Sequence, residues 1–74
     1  MKITGTRSYI NVEHNGKTAR FGGELGTDGF YAITKTMRWL PPHENLSVTE
    51  EDKNNFVEAV LKESEGREFL IFFE

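Results

Sequence analysis

Histidine occurs twice, at His14 and His43, and each imidazole has a carboxylate beside it, Glu13 and Glu44. Such pairs are the raw material of general bases and metal sites. Adjacent residues on a strand point to opposite faces, however, and no His-x-x-x-His or His-Glu-x-x-His spacing is present, so no local zinc motif exists. Nucleophilic catalysis would have to use Ser8, Ser47 or Ser64, and none stands in a strand-turn-helix elbow with a base in reach. The acids Glu50, Glu51 and Asp52 are clustered, and carboxylates on an exposed helical turn stay ionised rather than dividing into an acid and a base. The run Gly22-Gly23-Glu24-Leu25-Gly26, with Asp28-Gly29 after it, is glycine-rich. It lacks the Lys-Ser/Thr pair and the following helix of a phosphate loop, so it reads as turn chemistry. The expectation is a protein that is not an enzyme and uses no metal and no cofactor.

Two groups of residues are left with a use in recognition. Trp39-Leu40-Pro41-Pro42 sets a large aromatic side chain beside a stiff turn, and tryptophan is enriched where interfaces hold most of their energy. The same pattern also suits a core plug beneath a loop, and the sequence leaves both open. Glu44, Glu50, Glu51 and Asp52 follow within a dozen residues and would rim such an anchor with negative charge. The candidate partner-binding set is therefore Trp39, Pro41 and Pro42 as anchor or anchor support, with Glu44, Glu50, Glu51 and Asp52 as the electrostatic rim. Charges of that sign, standing where phosphates would stand, speed encounter with a basic partner.

The elements that must carry these residues follow from turn and period signals. Asn15-Gly16 between Tyr9–Glu13 and Lys17–Phe21 predicts a hairpin, because a type I′ turn needs positive φ at both central residues. Asp28-Gly29 predicts a second hairpin, joined to the first at Gly22-Gly23 by a bulge or bend. Strands are expected over about 2–5, 8–14, 17–22, 23–27 and 30–36, with a loop over 37–48 that Pro41-Pro42 stiffens. Thr49 is a good N-cap, with Glu50, Glu51 and Asp52 in the first turn and Asp52 placed for a capping box. Phe56, Val57, Val60 and Leu61 make one apolar stripe, so a helix is expected over about 50–64, stopped by Gly66. A strand over about 68–73 closes the chain, with Phe69, Ile71 and Phe73 on one side and Leu70 and Phe72 on the other. One helix covers only one face of a sheet, so the second apolar face of this strand must be hidden by a loop, by curvature or by another protein. The fold class is α+β: a single small domain, with a mainly antiparallel sheet of four to six strands packed by one α-helix.

Size and charge narrow the function further. At 74 residues the chain has room for one domain with a marginal core. Nine of the residues are aromatic, six of them Phe, which is too many for a disordered chain. Residues 1–43 carry six basic and three acidic side chains, whereas residues 44–74 carry three basic and nine acidic ones. The net charge of −3 opposes generic nucleic-acid binding. The sheet also needs Tyr9, Phe21, Phe30 and Tyr31 for its core, which leaves few aromatics for stacking bases. With no cysteine there is no disulfide staple of the kind a small secreted domain needs. No apolar run approaches membrane length, and the N-terminus lacks the apolar stretch of a signal peptide. A cytoplasmic protein is expected, without membrane contact.

The run Ile3-Thr4-Gly5-Thr6-Arg7-Ser8-Tyr9-Ile10, then Phe21-Gly22-Gly23-Glu24 and Gly29-Phe30, then Trp39-Leu40-Pro41-Pro42-His43-Glu44 and Thr49-Glu50-Glu51-Asp52-Lys53 resembles a family of small bacterial immunity proteins from polymorphic toxin systems. The similarity spans essentially the whole chain. It implies a role, the binding and neutralising of a cognate protein toxin, and no residue-by-residue site. The alternative is a structural or regulatory module that self-associates, forming a homodimer through a sheet edge.

Overall fold

Asn15 and Gly16 both take positive φ, 53° and 79°, and so turn the chain tightly between β2 (Tyr9–His14) and β3 (Lys17–Leu25). The register that follows sets Val12 opposite Ala19 and Ile10 opposite Phe21, four side chains that share one buried face. β1 (Lys2–Gly5) pairs antiparallel with the outer edge of β2 and adds Ile3 to that face. A computed structural model describes residues 1–66 and 70–74 of the chain.

β3 serves two neighbours along its other edge. β5 (Arg38–Trp39) pairs with it at Ala19 and Arg20, and β4 (Gly29–Ala32) pairs with it from Gly23 to Leu25. Between β4 and β5 the chain makes a 3-10 turn, Thr34–Thr36, that folds against Gly22. β6 (Leu70–Phe73) lies parallel to β4, giving the order β1-β2-β3-β4-β6 in a curled mixed sheet.

One helix, α1 (Glu50–Ser64), covers the buried face. Thr49 and Asp52 cap it reciprocally: the Asp52 N–H donates to the Thr49 hydroxyl and the Thr49 N–H donates to the Asp52 carboxylate, each at 3.0 Å. Phe56, Val60 and Ser64, four residues apart, form its buried stripe. They complete a core of Ile10, Val12, Ala19, Phe21, Phe30, Ala32, Met37, Trp39 and Ile71. Phe56 meets the Trp39 and His14 rings edge to face, both at 5.2 Å between centroids.

The class expected from the sequence, α+β with one helix on a mainly antiparallel sheet of four to six strands, is the one found, with six strands and one parallel pair. Several element bounds differ. The expected strands 17–22 and 23–27 are one strand, because Gly22-Gly23 changes β3's partners without ending it. A Cβ at Gly23 would fall on the Tyr31 carbonyl oxygen, so the glycine is required by the close approach of β4. Gly29 opens β4 and does not serve a two-residue turn; a Cβ there would fall on the Leu70 carbonyl of β6. The expected strand 30–36 stops at Ala32, where the chain leaves the sheet plane for the 3-10 turn. The expected loop 37–48 contains, just after Met37, the two residues of β5. Of the expected strand 68–73, residues 68 and 69 lie outside the described residues.

Candidate functional site

The segment from Leu40 to Asp52 is built from successive local bonds. The Leu40 N–H donates to the Thr18 carbonyl (2.8 Å), tying the segment to the start of β3. The His43 N–H then donates to the Leu40 carbonyl and the Leu46 N–H to the His43 carbonyl, each at 3.0 Å. The Pro41–Pro42 peptide bond is cis. Val48 packs down onto the core, and Thr49 starts the helix.

Trp39 lies beneath this segment. Only 3% of it is exposed, and its indole N–H donates to the Ser47 carbonyl at 3.2 Å. Of the two sequence readings it takes the core-plug position: its ring is not a surface anchor but supports the loop from below. The Lys17 ammonium stands 5.0 Å from the centre of the same ring. Pro41, Pro42, Glu44, Glu50 and Glu51 are exposed. The Glu50 carboxylate meets the Lys53 ammonium at 3.4 Å, one helical turn away.

Asp52 differs from the other acids of the rim. The Thr49 backbone N–H, and then the Thr49 hydroxyl, hold its carboxyl below the usual carboxylate value. Burial opposes that shift slightly, and the charge of Lys17 adds to it. Asp52 is therefore committed to the helix cap, while Glu44, Glu50 and Glu51 are exposed beside it, Glu50 being paired with Lys53. His43 Nδ1 is enclosed without a hydrogen-bond partner, a local cost the segment carries.

Sequence reasoning missed two participants. Leu46 is 49% exposed at the tip of the segment, and an apolar residue between Asn45 and Ser47 in a loop was the available signal. Lys17 reaches the site only because the β2–β3 hairpin brings it over Trp39, which nothing local in the sequence announces.

The sheet face away from the helix carries a second set of side chains. The Arg20 guanidinium lies 3.8 Å from the Tyr9 ring centre and donates from Nε to the Asn11 side-chain carbonyl at 2.9 Å. Tyr31 and Phe72 stack at 4.9 Å, 20° from parallel. The aromatics grouped in the sequence thus divide, with Phe21 and Phe30 buried and Tyr31 on the open face.

A groove of about 470 Å³ runs between β1 and the C-terminal end of α1, with Ile3, Ile10, Leu25, Phe30 and Ile71 in its lining. Arg7 and Glu63 are the ionisable side chains among its described lining, and no imidazole enters it. Among the described residues no three His, Asp or Glu side chains converge as a metal site would require. Among them, no helix is long and apolar enough to cross a membrane.

Fold and surface define a small α+β domain with one face sealed by a helix and an exposed, internally braced acidic segment at that helix's entry. The chain belongs to the Immunity protein 74 family, whose family model matches residues 2–74. The resemblance drawn from the N-terminal run and the Trp39-to-Lys53 stretch is thus to a family type that the whole-chain match shows. No curated protein and no solved structure matches the chain.

Proposed function

We propose that this protein neutralises a cognate bacterial toxin in the cytoplasm by stoichiometric, non-enzymatic binding. Family membership over essentially the whole chain is the observation that carries this reading. The segment from Pro41 to Glu51 is the contact surface. Its backbone is held by the Leu40, His43 and Leu46 hydrogen bonds and propped by Trp39, so little ordering entropy is lost on binding. Leu46 and the two prolines supply apolar contact, and Glu44, Glu50 and Glu51 steer a basic partner.

The test is capture of bacterial proteins on the tagged chain at low and at high salt, followed by a toxicity assay of the captured protein with and without the chain. One basic partner at equal stoichiometry, weakened by salt and detoxified by the chain, is the expected result. A toxin held as tightly by a Glu44/Glu50/Glu51→Lys variant would remove this surface from the proposal.

A further inference from the structure

The sheet ends in β1 on one side and β6 on the other, with the short β5 beside β3. β1 carries Lys2 and β5 carries Arg38, charges of the kind that discourage a further strand from pairing. β6 reads Leu70-Ile71-Phe72-Phe73 and has no charge within it. Just beyond it, the Glu74 N–H donates to the Ala32 carbonyl (2.8 Å) and the Glu74 carbonyl accepts the Thr34 N–H (2.9 Å). Backbone groups alternate sides along a strand, so Leu70 and Phe72 also turn theirs toward β4. Ile71 and Phe73 therefore direct an N–H and a carbonyl each to the open side.

Exposed apolar side chains gather at this edge. Leu70 and Tyr31 are each 36% exposed and Ile33 is 38% exposed, and Phe72 stacks on Tyr31. On the helix, Leu61 is 47% exposed. It occupies the flank opposite Asn55, Ala59 and Lys62, which border the β2–β3 hairpin.

We propose that β6 pairs antiparallel with β6 of a second copy of this chain, about a twofold axis at Phe72. The register is self-complementary. Ile71 stands opposite Phe73 of the partner subunit, and the two exchange N–H···O bonds on each side of the axis, which satisfies every free backbone group of the strand. Phe72 meets its own counterpart in the close, non-hydrogen-bonded position. With Tyr31 stacked behind each, four aromatic rings line up across the joined sheets. Glu74 falls opposite Leu70 of the partner subunit, so the twofold brings no like charges into direct opposition. Such an isologous contact closes on itself and does not propagate. Ile71 and Ser64 line one groove at the C-terminal end of α1, whereas Glu50 and Glu51 open its other end, so the pairing leaves the acidic segment uncovered. A contact built on a four-residue strand is small, and the dimer dissociates on dilution.

Sedimentation equilibrium of the intact chain, from micromolar to millimolar concentration, tests this. The mass is expected to rise from 8.5 kDa toward twice that value. The chain has no cysteine, so single-cysteine variants read the register directly. Phe72→Cys is expected to cross-link under mild oxidation, since facing Cα atoms in that position are about 4.5 Å apart, within disulfide reach. Leu70→Cys, about 14 Å along the strand from its counterpart, is expected not to. Leu70 is exposed and Phe72 half-buried, and circular dichroism checks that the fold is kept. A mass of 8.5 kDa at every concentration, or cross-linking of Leu70→Cys as readily as Phe72→Cys, overturns the proposal. So does a monomeric chain whose Phe72→Lys variant loses capture of the toxin, an outcome that hands the edge to the toxin.

Discussion

Thr36 fills a gap on the far edge of β3: its hydroxyl accepts the Gly22 N–H at 2.7 Å and donates to the Ile33 carbonyl at 2.6 Å. β5 stops pairing at Arg20 and β4 begins at Gly23, so neither strand reaches Gly22. A threonine side chain from the intervening turn stands in for the missing backbone partner. Thr36→Val keeps the shape and removes the acceptor, and should cost about 1 kcal/mol. In a domain of this size that lowers Tm by roughly 4–8 °C, while Thr36→Ser should stay near the parent in a thermal melt.

Gly23→Ala should be far more damaging than its single methyl suggests. The added carbon would meet the Tyr31 carbonyl oxygen and, at 2.9 Å, the Phe30 ring, both in the sheet interior. A backbone clash cannot be relieved by a rotamer change, so a loss of about 3 kcal/mol is expected from denaturant titration. A stability within experimental error of the parent would mean that β3 and β4 do not approach as described.

Trp39→Phe should loosen the acidic segment as well as the core. It removes the indole bond to the Ser47 carbonyl and part of the edge contact with Phe56. About 2 kcal/mol is expected for Phe, and roughly 3–5 kcal/mol for Ala. Amide exchange at Ser47 and Val48 should speed up even at temperatures where the domain is still folded.

Stability should fall on the acid side through Asp52. Its carboxyl is held below the ordinary 3.8 in the folded chain, so the capping contribution is fully present above about pH 4. It is lost as pH falls through the lowered folded value. Asp52→Asn should flatten that part of a stability-versus-pH curve and leave its neutral side little changed in slope. An unaltered acid limb would mean that the Thr49 contacts do not hold the charge.

Reversing Glu44, Glu50 and Glu51 to Lys should slow association with the captured toxin by about tenfold, with a weaker salt dependence. Dissociation should change less, since the proposed surface has these side chains at its rim. The helix loses favourable charge at its N-terminus, about 0.3–1 kcal/mol per site, and that must be subtracted by measuring the stability of the free variant.

The parts of this fold that were legible in the sequence are those made by neighbours in the chain. Asn15-Gly16 fixes its turn by φ alone, and Thr49 with Asp52 caps α1 through atoms three residues apart. The parts that were not legible depend on who sits alongside. Gly22, Gly23 and Gly29 read as punctuation, yet two of them exist because another strand's carbonyl passes too close for a Cβ. The two-residue β5 is too short to carry a period, and Thr36 looks like any exposed threonine until Gly22 is placed beside it. At the candidate site, the acids and prolines were visible as types and spacing. The position of Trp39 beneath them was not, because a tryptophan next to prolines fits both an anchor and a plug.

Among the described residues, β4 and β6 make the one parallel pair of the sheet, and the chain crosses from Ala32 to Leu70 to form it. The antiparallel ribbons β1 to β4 zip from tight turns, with little loop entropy lost at each step. β6 must wait for the helix to form and dock, so it is expected to join late in folding and to lead the unravelling. Slow-exchanging amides should therefore concentrate in β2 and β3. The amides bonded between β4 and β6 should open at a lower free energy than the domain as a whole.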